Sequence, residues 1–148
     1  MTENKDPGIK IELICLLNAN VAMANQNGKQ SFNLQLTDFE RVESPDNMAL
    51  DIIVSFDLMS GVEKPLFVFK CSFAARYTRQ DDSLPWEKFS SAMALAHIVP
   101  YLREFVGNIT NRLPVPVLLL PAFNTAKLLA DLDARRAAQA PAEASKTA

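Results

Sequence analysis

Apolar residues recur at every second position in four separate segments of the first half of this chain. The alternation starts at Ile9 and runs through Ile11, Leu13, Cys15 and Leu17, with Lys10 and Glu12 opposite. SFNLQLTD sets Phe32, Leu34 and Leu36 on one side and Asn33, Gln35 and Thr37 on the other. MALDIIVSFDLM repeats the pattern from Met48 to Leu58, and LFVFKCSFAARY repeats it with Phe67, Phe69, Cys71, Phe73, Ala75 and Tyr77. Successive side chains of an extended strand point to opposite faces, so this period of two predicts half-buried strands. Asn27-Gly28, Ser44-Pro45-Asp46-Asn47 and Ser60-Gly61 separate the segments with turn residues. Four strands joined by short turns predict an antiparallel meander.

The second half has a different rhythm. TRQDDSLPWEKF is a polar crossing that carries Trp86. From Trp86 to about Asn111 the period becomes helical, with Phe89, Met93, Ala96, Tyr101, Phe105 and Ile109 near one stripe. Pro100 falls inside that stretch, where a proline removes a hydrogen bond and costs about 3 kcal/mol. Pro114, Pro116 and Pro121 then punctuate an apolar connection, and a last amphipathic helix from about Asn124 presents Leu128, Leu129 and Leu132. Residues 1–8 end in Pro7-Gly8 and are expected to form a mobile arm. The alanine-rich segment 134–148 is expected to be disordered. Between them, residues 9–133 read as a single domain whose strands precede its helices, which is an α+β class.

Little in the sequence points to chemistry. His97 is the only histidine, set in a helix that is apolar nearly all round, and reads as a packed or interface side chain. Cys15 and Cys71 have no zinc-type clustering with it, so no metal site is expected. They read as reduced thiols, with a disulfide as the alternative. The four glycines form no phosphate-binding loop and there is no GxSxG elbow, so neither enzyme nor cofactor is expected. A net charge of -2 offers no basic stripe for nucleic acid. MTENKDPGIK has no apolar signal core, and the run from Leu113 to Phe123 is too short and too broken by prolines to span a membrane. A cytoplasmic location is therefore expected.

What the sequence does supply is apolar area. Ile53 and Met59 lie on the second face of the third strand, and Leu66 and Val68 on that of the fourth. An antiparallel sheet covered on one side normally keeps its other face polar. Two helices cannot cover both faces, so burial against another copy or a partner is expected.

The stretch PYLREFVGNITNRLPVPVLLLPAFN resembles the C-terminal half of the SecB family of export chaperones. The resemblance rests on Pro100-Tyr101, Arg103-Glu104, Arg112 eight residues beyond that glutamate, Pro116, and Leu120-Pro121 before Asn124. It extends over residues 9–132, because the four strands also match in number and order. It implies a four-stranded antiparallel sheet followed by a long interface helix, with Pro100 in its first turn, and a shorter C-terminal helix. It implies a cytoplasmic homotetramer, a dimer of dimers, that holds unfolded or precursor proteins in apolar grooves without ATP and passes them to the SecA motor ATPase. On that reading Tyr101, Arg103, Glu104 and Phe105 lie at the oligomer interface. The side chains singled out for client contact are Phe32, Leu34, Leu36, Phe67, Phe69 and Trp86, each with core packing as the alternative.

One departure separates the chain from the pattern. The family docks SecA through acidic residues near the end of strand one and on strand four, and NANVAMANQN and LFVFKCSFAARY hold no carboxylate. Asparagine supplies no charge to attract a basic partner. Holding clients is thus better supported than delivery to the motor. A binding protein on the same fold, dedicated to one partner such as an antitoxin, is the alternative.

Overall fold

The structure is a computed structural model that describes residues 8–23, 32–59, 67–114 and 117–146. Four long strands come first: β1 (Lys10–Met23), β2 (Asn33–Glu43), β3 (Ala49–Met59) and β4 (Phe67–Thr78). A short 3-10 turn at Trp86–Lys88 leads into α1 (Ser91–Thr110), and α2 (Thr125–Lys146) follows. The architecture is the expected α+β class, one antiparallel sheet followed by two helices.

The strand order is β1-β4-β3-β2, which differs from a simple meander. Strands two to four follow one another, but β1 pairs with β4 instead of β2, from Lys10 opposite Thr78 to Met23 opposite Phe67. This is a Greek-key order read from the other end of the chain. Burial explains it. All six inward residues of β4, from Phe67 to Tyr77, are buried, so the greasiest strand takes a central place between β1 and β3. The Asn27-Gly28 and Ser60-Gly61 turns lie outside the described residues. The Ser44–Asn47 turn is as expected: Ser44 O accepts from Asn47 N at 2.9 Å, and Asn47 sits at φ 63°, a conformation asparagine tolerates. The hydroxyl of Ser44 and the N–H of Met48 both donate to Asp46, holding its carboxyl below the ordinary value.

Alternate residues of β2, β3 and β4 meet Leu95, Ile98, Leu102 and Val106 of α1 and Leu128 and Leu132 of α2 in one core. The buried stripe of α1 differs from the one expected. The helix is apolar on two sides, and the sheet takes the aliphatic side; Met93 and Tyr101 are left exposed. Burial also raises the Cys71 thiol to about 12. Both cysteines are free.

Pro100 does not begin α1. Ser90 caps the helix, its hydroxyl accepting from Met93 N at 3.2 Å, and Pro100 lies midway along the 20 residues. The break after the Trp86 segment thus falls at Phe89–Ser90. A proline at this position deprives the Ala96 carbonyl of its helical donor. Ala96 and Pro100 are both exposed, so that carbonyl is open to water.

At the far end of α1, the Thr110 hydroxyl donates to Val106 O at 2.8 Å and accepts from Leu118 N at 2.9 Å. That pair of bonds turns the chain into an extended segment that buries Leu118 and Leu120 and points Val117 and Leu119 outward. The alanine-rich segment is helical over its described residues. It continues α2 as far as Lys146, which makes α2, at 22 residues, longer than α1. Alanine has the highest helix propensity, so a helix already nucleated upstream extends readily into this segment, against the cost of Pro141, which removes one helical hydrogen bond.

Candidate functional site

β2 is an edge strand, and α2 packs alongside it. Between them lie two adjoining hollows of about 280 and 270 Å³. The first is walled by Phe32, Leu34, Phe123 and Leu128, with Lys127 and Asp131 at its rim. The second continues along Leu34, Leu36 and Leu128 to Ala134 and Arg135. Strand alternation turns Leu34 and Leu36 inward, and the helical spacing of Leu128, Asp131 and Arg135 places those three along one side of α2. Phe32 is half-buried and meets Phe123 edge-on, with ring centroids 6.3 Å apart. The result is an open groove of mixed character along the outer edge of the sheet, its apolar walls interleaved with Asn33, Gln35 and Asn124 and its lips charged.

Of the six side chains expected to contact clients, Phe32 and Leu34 line this groove, and Leu36 forms part of its floor. The others take the alternative of core packing within the folded chain. Phe67 and Phe69 are buried under the helices, Phe69 against Phe105 at 5.4 Å, and Leu36 itself is fully buried. Trp86 is also core. Its indole N–H donates to Asn47 O at 2.9 Å, and the Arg79 guanidinium lies 4.6 Å over its ring. Arg41 secures the same crossing by donating to the carbonyls of Trp86 and Phe89 and, at 2.8 Å, to the Ser91 hydroxyl. The strand that carries the two phenylalanines is central, so its inward row has no open side to face.

Phe123, Leu128, Asp131 and Arg135 complete the groove, and sequence reasoning did not assign them to it. The amphipathic spacing of Leu128 and Leu132 marked a buried face of α2, but nothing in the sequence said that this face would meet β2.

The residues expected at an oligomer interface divide in two. Tyr101 (47% exposed) and Glu104 are on the open side of α1, beside a notch of about 200 Å³ formed with Ile14, Leu16 and Asn108. Arg103, also exposed, donates to Leu120 O at 2.9 Å, and Phe105 packs on Phe69 and Phe73 while lining the same notch. Further along, Ile9, Ile11, Leu84, Phe89 and Met93 wall an apolar hollow of about 430 Å³. His97 lies in that hollow, its Nδ1 2.9 Å from the Tyr77 hydroxyl; burial raises that phenol to about 12. The edge strand β1 adds Ile11, Leu13, Leu16 and Leu17, all exposed.

The sheet face away from the helices is polar at its centre. Ser55 and Ser72 share a hydrogen bond of 2.9 Å, and Lys70 lies 3.8 Å from Asp57. The Arg76 guanidinium grips Asp51 at 2.7 and 2.9 Å and holds that carboxyl below its ordinary value. These carboxylates are neutralised by neighbours in the same sheet. Among the described residues, no cluster of three or more His, Cys, Asp or Glu is placed to hold a metal ion, and no helix is long and apolar enough to cross a membrane.

No family model matches the chain, and no curated protein matches it. Solved structures do match. One is the Mycobacterium tuberculosis Rv1957 SecB-like chaperone in complex with a ChAD peptide from the Rv1956 HigA1 antitoxin. It is 22% identical with a TM-score of 0.62, over 78% of this chain and 91% of that one. Another is a protein of unknown function from Streptococcus agalactiae, 14% identical with a TM-score of 0.50, over 77% of this chain and 97% of that one. At such identities the likeness bears on architecture alone: this chain has the SecB-like α+β fold.

Proposed function

We propose that this protein is a chaperone of holdase type, not an enzyme, that binds segments of non-native polypeptide along the groove between β2 and α2. The observation that carries the reading is the groove itself: apolar walls from Phe32, Leu34, Phe123 and Leu128, opening beside a strand edge. Unfolded chains share no sequence, only exposed apolar side chains and unpaired backbone groups. A groove offering apolar area and a strand edge recognises both. No nucleotide is needed, because the burial of apolar surface drives the binding. The neighbour Rv1957, a SecB-like chaperone solved with an antitoxin peptide, supports polypeptide as the ligand class.

The reading includes a homo-oligomer, a dimer of dimers, acting in the cytoplasm. Its support is the apolar surface that one copy leaves open: Ile11, Leu13, Leu16 and Leu17 on β1, with Met93 and Tyr101 on α1. A long apolar edge strand left bare invites uncontrolled pairing, so a second copy is its natural cover. Keeping precursors competent for export follows from the resemblance. Hand-over to SecA is the least supported step, because the carboxylates of the outer sheet face are paired. A client restricted to one partner, such as an antitoxin, is the second reading, favoured by the groove's small size and charged lips.

The test is suppression of aggregation. Chemically denatured rhodanese is diluted into buffer without ATP, with the protein present below one oligomer per client, the oligomer's mass having been measured in solution. Holdase action predicts that light scattering falls in proportion to added protein. Unchanged scattering, together with capture of one dominant partner from lysate, favours the dedicated binder.

A further inference from the structure

Two consecutive arginines of α2 reach back to β2. Nη2 of Arg135 donates to the Leu36 carbonyl. Nη2 of Arg136 donates to the Asp38 carboxylate at 2.6 Å and to the Phe39 carbonyl at 3.3 Å. These contacts converge on the one irregularity in the β2–β3 ladder, the register shift between Leu36 and Asp38. Arg135 also closes one end of the groove, beside Leu34, Leu128 and Asp131.

β2 is an edge, so its backbone groups directed away from β3 have no strand opposite them. An extended segment that adds to this edge makes its main-chain bonds with such groups. The guanidinium groups already occupy two of the carbonyls, those of Leu36 and Phe39. Guanidinium is well suited to this position, since its planar fork satisfies several acceptors at once and its charge persists at any physiological pH. The anchor at Asp38 is half exposed, so it is open to screening by salt. A contact that is well placed but individually weak can be displaced by a ligand.

We propose that Arg135 and Arg136 form a latch that holds α2 against the β2 edge, and that an extended client segment gains this edge only by displacing them. The segment would place alternate apolar side chains in the hollows at Leu34 and Leu128, while its backbone N–H groups replace the guanidinium donors at Leu36 and Phe39. This inference rests on the holdase reading for the identity of the ligand, but the latch itself is a property of the free protein.

The experiment compares wild-type protein with R135A/R136A and with D38N, which loosens the same contact from the strand side and guards against misfolding of the double variant. Hydrogen–deuterium exchange reads α2 and β2 in the free protein. Fluorescence anisotropy reads affinity for labelled, reduced and carboxymethylated α-lactalbumin across a sodium chloride series. The latch predicts faster exchange in α2 and β2 in both variants. It also predicts probe affinity about threefold to tenfold above wild type for R135A/R136A, the scale of losing a few exposed charge-assisted contacts. Wild-type affinity should rise with salt more steeply than that of the double variant. Unchanged exchange overturns the latch. So does unchanged affinity, and so does weaker binding, which would make the arginines client contacts. A wild-type protein that binds no probe ends the holdase reading, while the exchange arm still decides the latch.

Discussion

The Thr110 hydroxyl shows how much of this fold hangs on single polar atoms. It is buried, bonded at once to Val106 and to the N–H of Leu118, and it fixes where the proline-bearing segment leaves α1. Thr110→Val keeps the shape but removes the acceptor, stranding a buried N–H, and is expected to destabilise the protein by about 1–3 kcal/mol. Thr110→Ser should recover most of that loss. Urea unfolding of the two variants checks both values. Arg79 plays a related part at the start of the crossing that precedes α1. It is 5% exposed, donates to Leu84 O, and stacks on Trp86. None of this was legible in the sequence. A threonine near a helix end and an arginine after a strand are ordinary until the chain brings their acceptors to them. The apolar character of Phe67, Phe69 and Trp86 was legible, but an apolar pattern cannot tell a core face from a groove face. The burial of the two phenylalanines in a single chain came from β4 being central.

At the scale of elements, the strands were readable because their period of two is strong and their turns are rich in asparagine, glycine and proline. Their pairing was not. An edge-to-edge partner depends on which strand gains most from being covered on both sides, a comparison across the whole sheet. For α1 the sequence marked one stripe on a helix apolar nearly all round, and a different, aliphatic side won the sheet. Gly107 illustrates a residue whose reason is local. A Cβ there would meet Leu119 Cδ2 at 3.8 Å and Leu118 O at 3.9 Å, which is ordinary contact. Gly107→Ala is thus expected to stabilise the helix by about 0.5–1 kcal/mol, since glycine loses more backbone freedom on folding than alanine. A higher urea midpoint checks it, and a lower one would mean that a partner surface approaches the helix at this point. In α2 the alanine-rich segment shows how low complexity hides helix propensity: alanine next to a packed helix prolongs it.

For the whole molecule, one sheet face is sealed by helices, the other carries two ion pairs and a serine pair beside half-buried Ile53 and Val68, and exposed apolar residues gather along the β1 edge. The β1 edge, with Met93 and Tyr101 of α1 beside it, suits a second copy; the β2 edge, partly covered by α2, suits a client. An apolar excess was apparent in the sequence, but the count of faces assigned it to the second sheet face, and the exposed residues lie instead on β1 and α1. That placement was not legible, because it follows from the strand order. Phe32 is the side chain on which the client site depends most, a groove wall that is only half-buried in the folded chain. Equilibrium binding of reduced, carboxymethylated α-lactalbumin to wild-type protein and to Phe32→Glu is the most direct measurement. Replacing a phenylalanine contact by a charge should weaken binding about tenfold or more, with mass in solution unchanged and the thermal midpoint lowered only by the loss of the half-buried contact with Phe123. Equal affinity for the two proteins would contradict the assignment of the groove between β2 and α2 as the polypeptide site.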